Sequence, residues 1–310
     1  MILDFEKWHG CKNDFILIWT HDSQEAALIP ALQKVAPILC SRDGSGIGAD
    51  GILLLTKHGA QDLVPHRMTI VNADGTLASH CGNGVRCAAA AASKREVEFG
   101  RGIEPSLQLS FEVGSKEVIS YLRQPWNSQP VFVAAGMGYA KLDSENTWFS
   151  ALQQLNIKKE LSQLNVQLVA GVNLGNNHIV VQTAEQLETK DVLAFCQKVQ
   201  KNEAWDGINI HFCWEIAPSQ AMLKQAKWAL RNEASLFLQA ISFERGVGFT
   251  QACGSGACAI SAMMISQGFC ENGVMVKMPG GDLYVTAEDA KSLITLHGPC
   301  EYVFAGKVEI

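Results

Sequence analysis

Residues 72–93 read NADGTLASHCGNGVRCAAAAAS and residues 244–264 read ERGVGFTQACGSGACAISAMM, so one pattern occurs twice in this chain. In each copy a cysteine, Cys81 or Cys253, opens a Gly-x-Gly turn, and a run of small residues follows. A polar residue stands nine positions upstream of each cysteine. An internal repeat of this kind predicts two halves of one design. Two matched thiols are also the groups needed to remove a proton from one face of a carbon and deliver one to the other.

The two cysteine turns predict helix starts that can bind an anion. The glycines permit tight backbone geometry, and we expect Asn83 and Ser255 to act as N-cap residues. Backbone N–H groups without a partner and the positive end of the helix dipole would hold a carboxylate there and favour thiolate over thiol. The alternative for a single such turn is a helix start with a buried cysteine. Its recurrence in the same frame favours the functional interpretation.

Composition and charge narrow the class of protein. A chain of 310 residues is long enough for two domains. The hydrophobic fraction of 47% and the charged fraction of 18% are typical of compact proteins. A net charge of -6 without a Lys/Arg run leaves no surface for nucleic acid or an anionic membrane, so we expect a small-molecule partner. The first residues lack a basic segment and no long apolar run occurs, which predicts a cytoplasmic enzyme.

The ten cysteines predict neither a disulfide framework nor a metal site. No Cys-x-x-Cys pair and no secretory start are present, and most of the cysteines are expected to be small buried residues. The Cys81/Cys87 and Cys253/Cys258 spacings fall on predicted helices without a matching His pair, so we expect no bound metal.

Strand-like runs alternate with helix-like ones in both halves of the chain. The predicted strands are residues 15–19, 52–55, 68–71, 107–113, 131–134, 166–169, 178–182, 274–278, 283–286 and 302–304. Residues 124–130, QPWNSQP, lack periodicity and predict a domain junction. We therefore expect an N-terminal lobe of residues 1–127, to which a strand at 301–310 returns, and a C-terminal lobe of residues 128–300.

At these residues the chain resembles the diaminopimelate epimerase family of amino-acid epimerases and racemases, which use no pyridoxal phosphate. The resemblance rests on HGCKNDFILI, GIGADGILLL, VNADGTLASHCGNGVRC, VNLGNNHIVV, FERGVGFTQACGSGACA, MPGGDLYV and GPCEYVFAG, in that order. It implies an α/β fold of two pseudo-symmetric lobes, each a curled, mostly antiparallel sheet wrapped around a central helix.

The resemblance implies that Cys81 and Cys253 are the two acid/base groups. One thiolate would abstract the α-proton while the other thiol protonates the opposite face. His178 and Glu244 are expected to assist by tuning the protonation of the thiols. No cofactor is expected.

Substrate-binding residues are implied in two sets. The backbone at Gly82, Asn83, Gly254 and Ser255 would hold the carboxylate at the reacting carbon. The far end of the substrate would be bound by Asn13, Asn72, Asn176, Asn209 and Arg245. Family members are commonly dimers, so a homodimer is a possible assembly.

The chain departs from the family pattern at three places. Asn177 replaces a proline, Phe249 replaces a polar residue, and the segment between Asn209 and Glu244 is longer than expected. Residues 219–239 of this segment predict an amphipathic helix with Ser219 as N-cap. The helix would be surface decoration, a subunit contact or a part that reshapes the distal pocket.

Three functions remain open from the sequence. The first is epimerisation of LL- to meso-diaminopimelate, since the distal set of polar residues is intact. The second is racemisation of a single amino acid, such as lysine, arginine or histidine, on the same fold. The third is a non-catalytic or redox-sensing dithiol protein.

Overall fold

The computed structural model divides the chain into two units. It describes residues 1–59, 62, 64–100, 108–122, 129–142, 162–201, 207–230, 235–271, 273–289 and 291–310, without the side chains of 226–230. Unit 1 comprises Met1–Gly136 and His297–Ile310, and unit 2 comprises Met137–Leu296. Most of the junction predicted at residues 124–130 lies outside the described residues. Across these ranges, every helix falls short of the length and apolarity needed to span a membrane.

Within its described residues, unit 1 contains two helices and a sheet whose strands pair mostly antiparallel. Its elements in chain order are β1 (Ile2–Gly10), β2 (Asn13–His21), α1 (Asp22–Leu39), β3 (Gly51–Lys57), β4 (Arg67–Asn72), β5 (Leu77–Ala78), α2 (Gly82–Glu98), β6 (Gln108–Val113), β7 (Lys116–Leu122) and β8 (Val131–Gly138). The strand nearest the C-terminus, β17 (Ile294–Glu309), pairs antiparallel with β1 over most of its length.

Within the described residues, unit 2 repeats this order of elements with two additions, a short strand at its start and a helix at Gln220–Leu230. It contains β9 (Lys141–Leu142), β10 (Val166–Asn173), β11 (Asn177–Thr183), α3 (Thr189–Gln200), β12 (Ile208–Glu215), α4 (Gln220–Leu230), β13 (Leu236–Glu244), β14 (Gly248–Thr250), α5 (Gly254–Ser266), β15 (Gly273–Met278) and β16 (Gly281–Thr286).

The strand pairings of the two units match step by step. In unit 1, β1 and β2 are antiparallel, β2 and β3 parallel, and β3 and β4 antiparallel. In unit 2, β10 and β11 are antiparallel, β11 and β12 parallel, and β12 and β13 antiparallel. The next strands continue the match, since β4–β6 and β13–β15 are parallel while β6–β7 and β15–β16 are antiparallel. The α/β fold with a mostly antiparallel sheet in each lobe is therefore confirmed.

Each unit buries the helix that follows its cysteine. The residues of α2 from Gly82 to Ser93 are all buried, and the five alanines 88–92 are fully inaccessible. In α5 the same holds from Ala257 to Met264. The small side chains of these two helices let neighbouring strands pack closely on several sides. A helix segment that is apolar all round is stable only when it is buried. The central helix of each lobe is confirmed by this burial.

The segment between Asn209 and Glu244 differs from the helix predicted at residues 219–239. Ser219 caps α4 as expected, because its Oγ accepts a hydrogen bond from Met222 N at 3.2 Å. The helix ends at Leu230, however, and the chain forms β13 from Leu236 onward. The prediction that the helix continues to residue 239 is wrong, because β13 pairs with both β12 and β15. The hydrogen bonds and packing of these two strand pairings stabilise the extended conformation more than the helical spacing of apolar residues stabilises a helix.

The ten strands predicted from the sequence all fall within strands of the structure, apart from residue 107, which lies outside the described ranges.

Candidate active site

The two cysteines cap the two buried helices with their own side chains. Cys81 is the N-cap of α2, and its Sγ accepts a hydrogen bond from Gly84 N at 3.3 Å. Cys253 is the N-cap of α5, and its Sγ accepts from Gly256 N, also at 3.3 Å. Both cysteines have the extended backbone expected of an N-cap residue. The repeat seen in the sequence is therefore a repeat of local structure.

The prediction that Asn83 and Ser255 are the N-caps is wrong, because the helices begin at Gly82 and Gly254, directly after the cysteines. Asn83 and Ser255 lie instead in the first helical turn. The backbone N–H groups of a first turn have no intrahelical acceptor, so these four residues remain suited to bind a carboxylate.

Cys253 lies in a hydrogen-bonded group with Glu244 and Ser255. Its Sγ donates to Glu244 Oε2 at 3.1 Å and lies 3.6 Å from Ser255 Oγ. Burial raises the pKa of the Cys253 thiol well above its usual value, and the nearby Glu244 carboxylate raises it further. The expectation that the helix start favours thiolate is therefore wrong for Cys253. The Gly256 N–H lowers the pKa, but burial and the carboxylate outweigh it.

Glu244 is positioned by the hairpin of β13 and β14. Thr250 Oγ1 donates a hydrogen bond to Glu244 Oε1, so both carboxylate oxygens accept from a side chain. Phe249, one of the departures from the family pattern, packs edge-on against Phe243 with ring centroids 4.9 Å apart. Its aromatic ring thus anchors the hairpin that carries Glu244.

His178 is buried at the start of β11 and is held at both ring nitrogens. Its Nε2 lies 2.9 Å from Asn176 Oδ1, and its Nδ1 lies 2.9 Å from His211 Nε2. The other nitrogen of His211 lies 2.8 Å from Ser242 Oγ. His211 is fully buried, and burial lowers its pKa well below the usual value. The sequence analysis did not identify it as a site residue.

Asn176 links His178 to the cysteine turn. Its Oδ1 faces His178, and its Nδ2 donates to Ser255 Oγ at 3.5 Å. Four of the residues predicted for unit 2 (His178, Asn176, Ser255 and Glu244) therefore form one connected group with Cys253.

Asn209 and Arg245 lie beside this group. Asn209 pairs with His178 across the parallel strands β11 and β12, and its Oδ1 accepts from Arg245 N at 3.1 Å. The Arg245 residue is exposed and its guanidinium passes close to Gly207. Asn209 therefore fixes the backbone from which the Arg245 side chain extends.

In unit 1 the predicted residues form a smaller network. Asn83 Nδ2 donates to Asn13 Oδ1 at 3.0 Å, and Asn13 Nδ2 donates to Asp50 Oδ2 at 2.6 Å. Asn83 Oδ1 in turn accepts from the buried Arg86 at 3.0 Å. Asn72 is not part of this network and donates to Thr76 Oγ1 at 2.9 Å.

Two other features of the described residues could hold a small ligand. Asp22, His58 and His66 place their ligand atoms within 4.8 Å of one another. The two imidazole rings stack at 3.6 Å, however, and each hydrogen-bonds a different oxygen of Asp22, so a shared ion would require the rings to rotate. A cavity of about 200 Å³ lies against His178 and Asn177, and Cys253 is not among its lining residues.

Comparisons with known proteins identify the family of this chain. The diaminopimelate epimerase family model matches residues 5–112 and 170–303. The chain is 30% identical to a diaminopimelate epimerase of Halothermothrix orenii over 100% of this chain and 99% of that one. It is also 30% identical to the Pseudomonas aeruginosa enzyme of that name over the full length of both.

Solved structures share the fold at much lower identity. A phenazine biosynthesis protein of Bacillus anthracis is similar with a TM-score of 0.64, 14% identity and complete coverage of both chains. A probable proline racemase of Agrobacterium radiobacter has a TM-score of 0.62 and 12% identity, covering 99% of this chain and 93% of that one. The family match and the two full-length relatives establish that this chain belongs to the diaminopimelate epimerase family of isomerases.

Proposed function

We propose that this protein epimerises LL-diaminopimelate to meso-diaminopimelate without a cofactor, with Cys81 and Cys253 as its two acid/base groups. The family membership supports the reaction class. The observation that carries the mechanism is the paired cap geometry, in which each thiol sulfur accepts a first-turn N–H at 3.3 Å.

The resting protonation of Cys253 supports its role as the acid in one direction of the reaction. Its thiol donates to Glu244 and has a raised pKa, so it holds a proton before substrate binds. In one direction of the reaction, the thiolate of Cys81 takes the α-proton while Cys253 gives its proton to the opposite face of the same carbon. In the reverse direction Cys253, left as thiolate by the forward step, abstracts the α-proton, and the Cys81 thiol returns its proton to the opposite face.

The electron pair released at the α-carbon must be stabilised without pyridoxal. It delocalises into the adjacent carboxylate, on which negative charge grows in the transition state. The first-turn N–H groups at Gly82, Asn83, Gly254 and Ser255 are fixed dipoles suited to that charge, because preorganised donors need no rearrangement during the reaction.

The residues proposed to bind the distal end of the substrate are the reason for proposing diaminopimelate rather than another amino acid. Arg245 can pair with a carboxylate in two hydrogen bonds, and Asn72 and Asn209 offer both donors and acceptors. A site built for polar groups disfavours substrates that lack them, because its own polar atoms would be left unpaired. Lysine lacks the second carboxylate and would leave Arg245 unmatched.

Solvent deuterium exchange at the α-carbon tests the proposal. LL-diaminopimelate incubated with the protein in D₂O should gain deuterium as meso product forms. Cys81→Ala and Cys253→Ala should each reduce this rate by at least about 10²-fold. Cys87→Ala and Cys258→Ala are matched controls, since each removes the second cysteine of the same motif and should retain exchange.

The other outcomes separate the remaining hypotheses. Exchange into lysine, arginine or histidine but not into diaminopimelate would establish a single-substrate racemase instead. Exchange that persists in both the Cys81 and Cys253 variants would favour a dithiol protein whose thiols do not catalyse. The cytoplasmic location and the homodimer stay predictions.

A further inference from the structure

A line of polar side chains crosses the apolar interior of unit 2, and its middle residue, His211, lies against Gly256 of the cysteine turn. His178 contacts His211 at 2.9 Å, and His211 contacts Ser242 at 2.8 Å. The three residues are 1%, 0% and 2% exposed, respectively. They lie on three neighbouring strands, β11, β12 and β13, so the line runs across the sheet.

The internal repeat shows that packing alone does not require these residues. In unit 1 Phe15 pairs with Gly51, just as His178 pairs with Asn209 in unit 2. Leu53, two residues after Gly51, pairs with Ile70. His211, two residues after Asn209, pairs with Ser242.

The matching line in unit 1 therefore consists of Phe15, Leu53 and Ile70, and all three are buried and apolar. The same scaffold is filled by hydrocarbon in one unit and by hydrogen-bonding groups in the other. Burying polar groups stabilises a fold less readily than burying apolar ones, so the polar line in unit 2 calls for a role beyond packing.

The partners dictate where each proton lies. The carbonyl oxygen of Asn176 can only accept, so His178 Nε2 must carry a proton and donate. In neutral His178 the other nitrogen, Nδ1, is then an acceptor. His211 must therefore donate from Nε2, and its bare Nδ1 accepts the hydroxyl proton of Ser242.

The same direction continues on the other side of Asn176. Its amide Nδ2 donates to Ser255 Oγ, and Ser255 can donate to the sulfur of Cys253, which donates to Glu244. Each group gives one hydrogen bond to the next, from Ser242 at one end to the carboxylate at the other.

We propose that His211 and Ser242 are positioning residues that fix His178 in its Nε2-protonated tautomer and so keep its N–H bonded to Asn176, which in turn bonds to Ser255 of the cysteine turn. The catalytic value of this arrangement rests on the proposed epimerase function. Gly256 completes it, since the edge of the His211 ring lies where a Cβ of residue 256 would otherwise stand.

The first arm of the test needs no substrate. Long-range proton–nitrogen correlation spectra of the full chain, labelled with ¹⁵N in histidine, report which ring nitrogen carries hydrogen. His178 and His211 should both appear as neutral rings protonated at Nε2. A spectrum in which either ring carries its proton on Nδ1, or both nitrogens of either ring are protonated, would overturn the proposal.

The second arm uses a matched pair of hydroxyl deletions. Ser242→Ala removes the donor to His211 Nδ1, and Ser261→Ala removes a buried hydroxyl of α5 that donates to Ala257 O at 2.8 Å. Ser242→Ala should populate the Nδ1-protonated tautomer of His211 and lower kcat for diaminopimelate by about tenfold. Its KM should stay within about twofold, because His178 acts on proton transfer rather than on substrate affinity.

Ser242→Thr, which keeps a hydroxyl, should restore both the spectrum and kcat. Equal losses of kcat in Ser242→Ala and Ser261→Ala would show that Ser242 is merely structural. If the unmodified protein exchanges no α-hydrogen of diaminopimelate, the proposed function fails, while the spectra of the resting protein still decide the tautomer.

Discussion

Replacing Gly256 by alanine should destabilise unit 2, although alanine normally favours a helix. A Cβ at this position would lie 2.4 Å from Cε1 of His211, and 2.7 and 2.9 Å from its two ring nitrogens. The ring is fully buried and held at both nitrogens, so it cannot turn aside without losing its hydrogen bonds to His178 and Ser242.

The size of the effect follows from three contributions. Overpacking costs about 1–3 kcal/mol, and weakening two buried hydrogen bonds costs about 1 kcal/mol each. Alanine in place of glycine regains at most about 1 kcal/mol of helix propensity. The Gly256→Ala variant should therefore lose about 2–4 kcal/mol of unfolding free energy, which lowers the melting temperature by on the order of 10 °C.

Thermal and urea unfolding followed by circular dichroism measure this loss. Gly84→Ala is the matched control, because Gly84 occupies the same position in the other cysteine turn. Its added Cβ would meet the flexible Leu53 Cδ2 at 3.1 Å and Cys81 Sγ at 3.4 Å. Leu53 can shift, so Gly84→Ala should cost less than about 1.5 kcal/mol.

A double-mutant cycle with His211→Ala decides whether the ring is the cause. Removing the ring removes the clash, so the double variant should be more stable than the sum of the single losses by about 1–3 kcal/mol. Strict additivity, or a Gly256→Ala variant as stable as the unmodified protein, would refute the reasoning.

Three further predictions concern the thiols and a partly buried histidine. Glu244→Gln removes a charge that raises the pKa of Cys253, so ultraviolet absorbance should show the Cys253 thiolate forming at lower pH than in the unmodified protein. Deuterium exchange should slow by about 10²-fold or more, and an unchanged titration would contradict the prediction. Cys81 is partly accessible whereas the other nine cysteines are buried, so limiting alkylating reagent followed by peptide mass spectrometry should find Cys81 modified first, and earlier labelling of Cys253 would count against it. Burial lowers the pKa of His80 from 6.5 to about 4. Its neutral form therefore contributes stability above pH 6.5 that is lost as pH falls toward 4, by at most about 3 kcal/mol, and His80→Gln should lose less over that range in urea unfolding.

The duplicated cysteine motif made most of the site predictable. A cysteine followed by Gly-x-Gly and small residues favours the start of a tightly packed helix, and both helices begin directly after Cys81 and Cys253. The strands flanking them were visible as runs of β-branched residues. The capping atom was not predictable, because sulfur is a weaker acceptor than the side-chain oxygens of Asn83 and Ser255.

Helix α1 was not predictable from local pattern, since it contains Pro30 and Pro37. Proline inside a helix removes a hydrogen bond and disfavours helix locally. The parallel pairing of β2 with β3 nevertheless requires a crossover connection, and α1 supplies it by burying Leu28, Leu32 and Ala36 against the sheet. Tertiary packing overrides local propensity here.

His211 could have been found by aligning the two halves of the chain. In the pairing registers the strand NIHFCWE corresponds to GILLLTK, so a histidine stands where the other half has Leu53. A single polar residue within an apolar strand is ambiguous. Only the structure shows that Ser242 faces His211 across one ladder and that the His178 side chain contacts it from the strand on the other side.

The pairing of β1 with β17 sets an order for biosynthesis. Ile2 faces Glu309 across this ladder, and the whole of unit 2 is encoded between the two pieces of unit 1. A ribosome therefore releases every residue of unit 2 before β1 can meet its partner strand. Unit 2 is free to fold as it emerges. Until β17 is synthesised, the backbone N–H and C=O groups along one edge of β1 stay unpaired, and a chaperone or a truncated translation product could bind there.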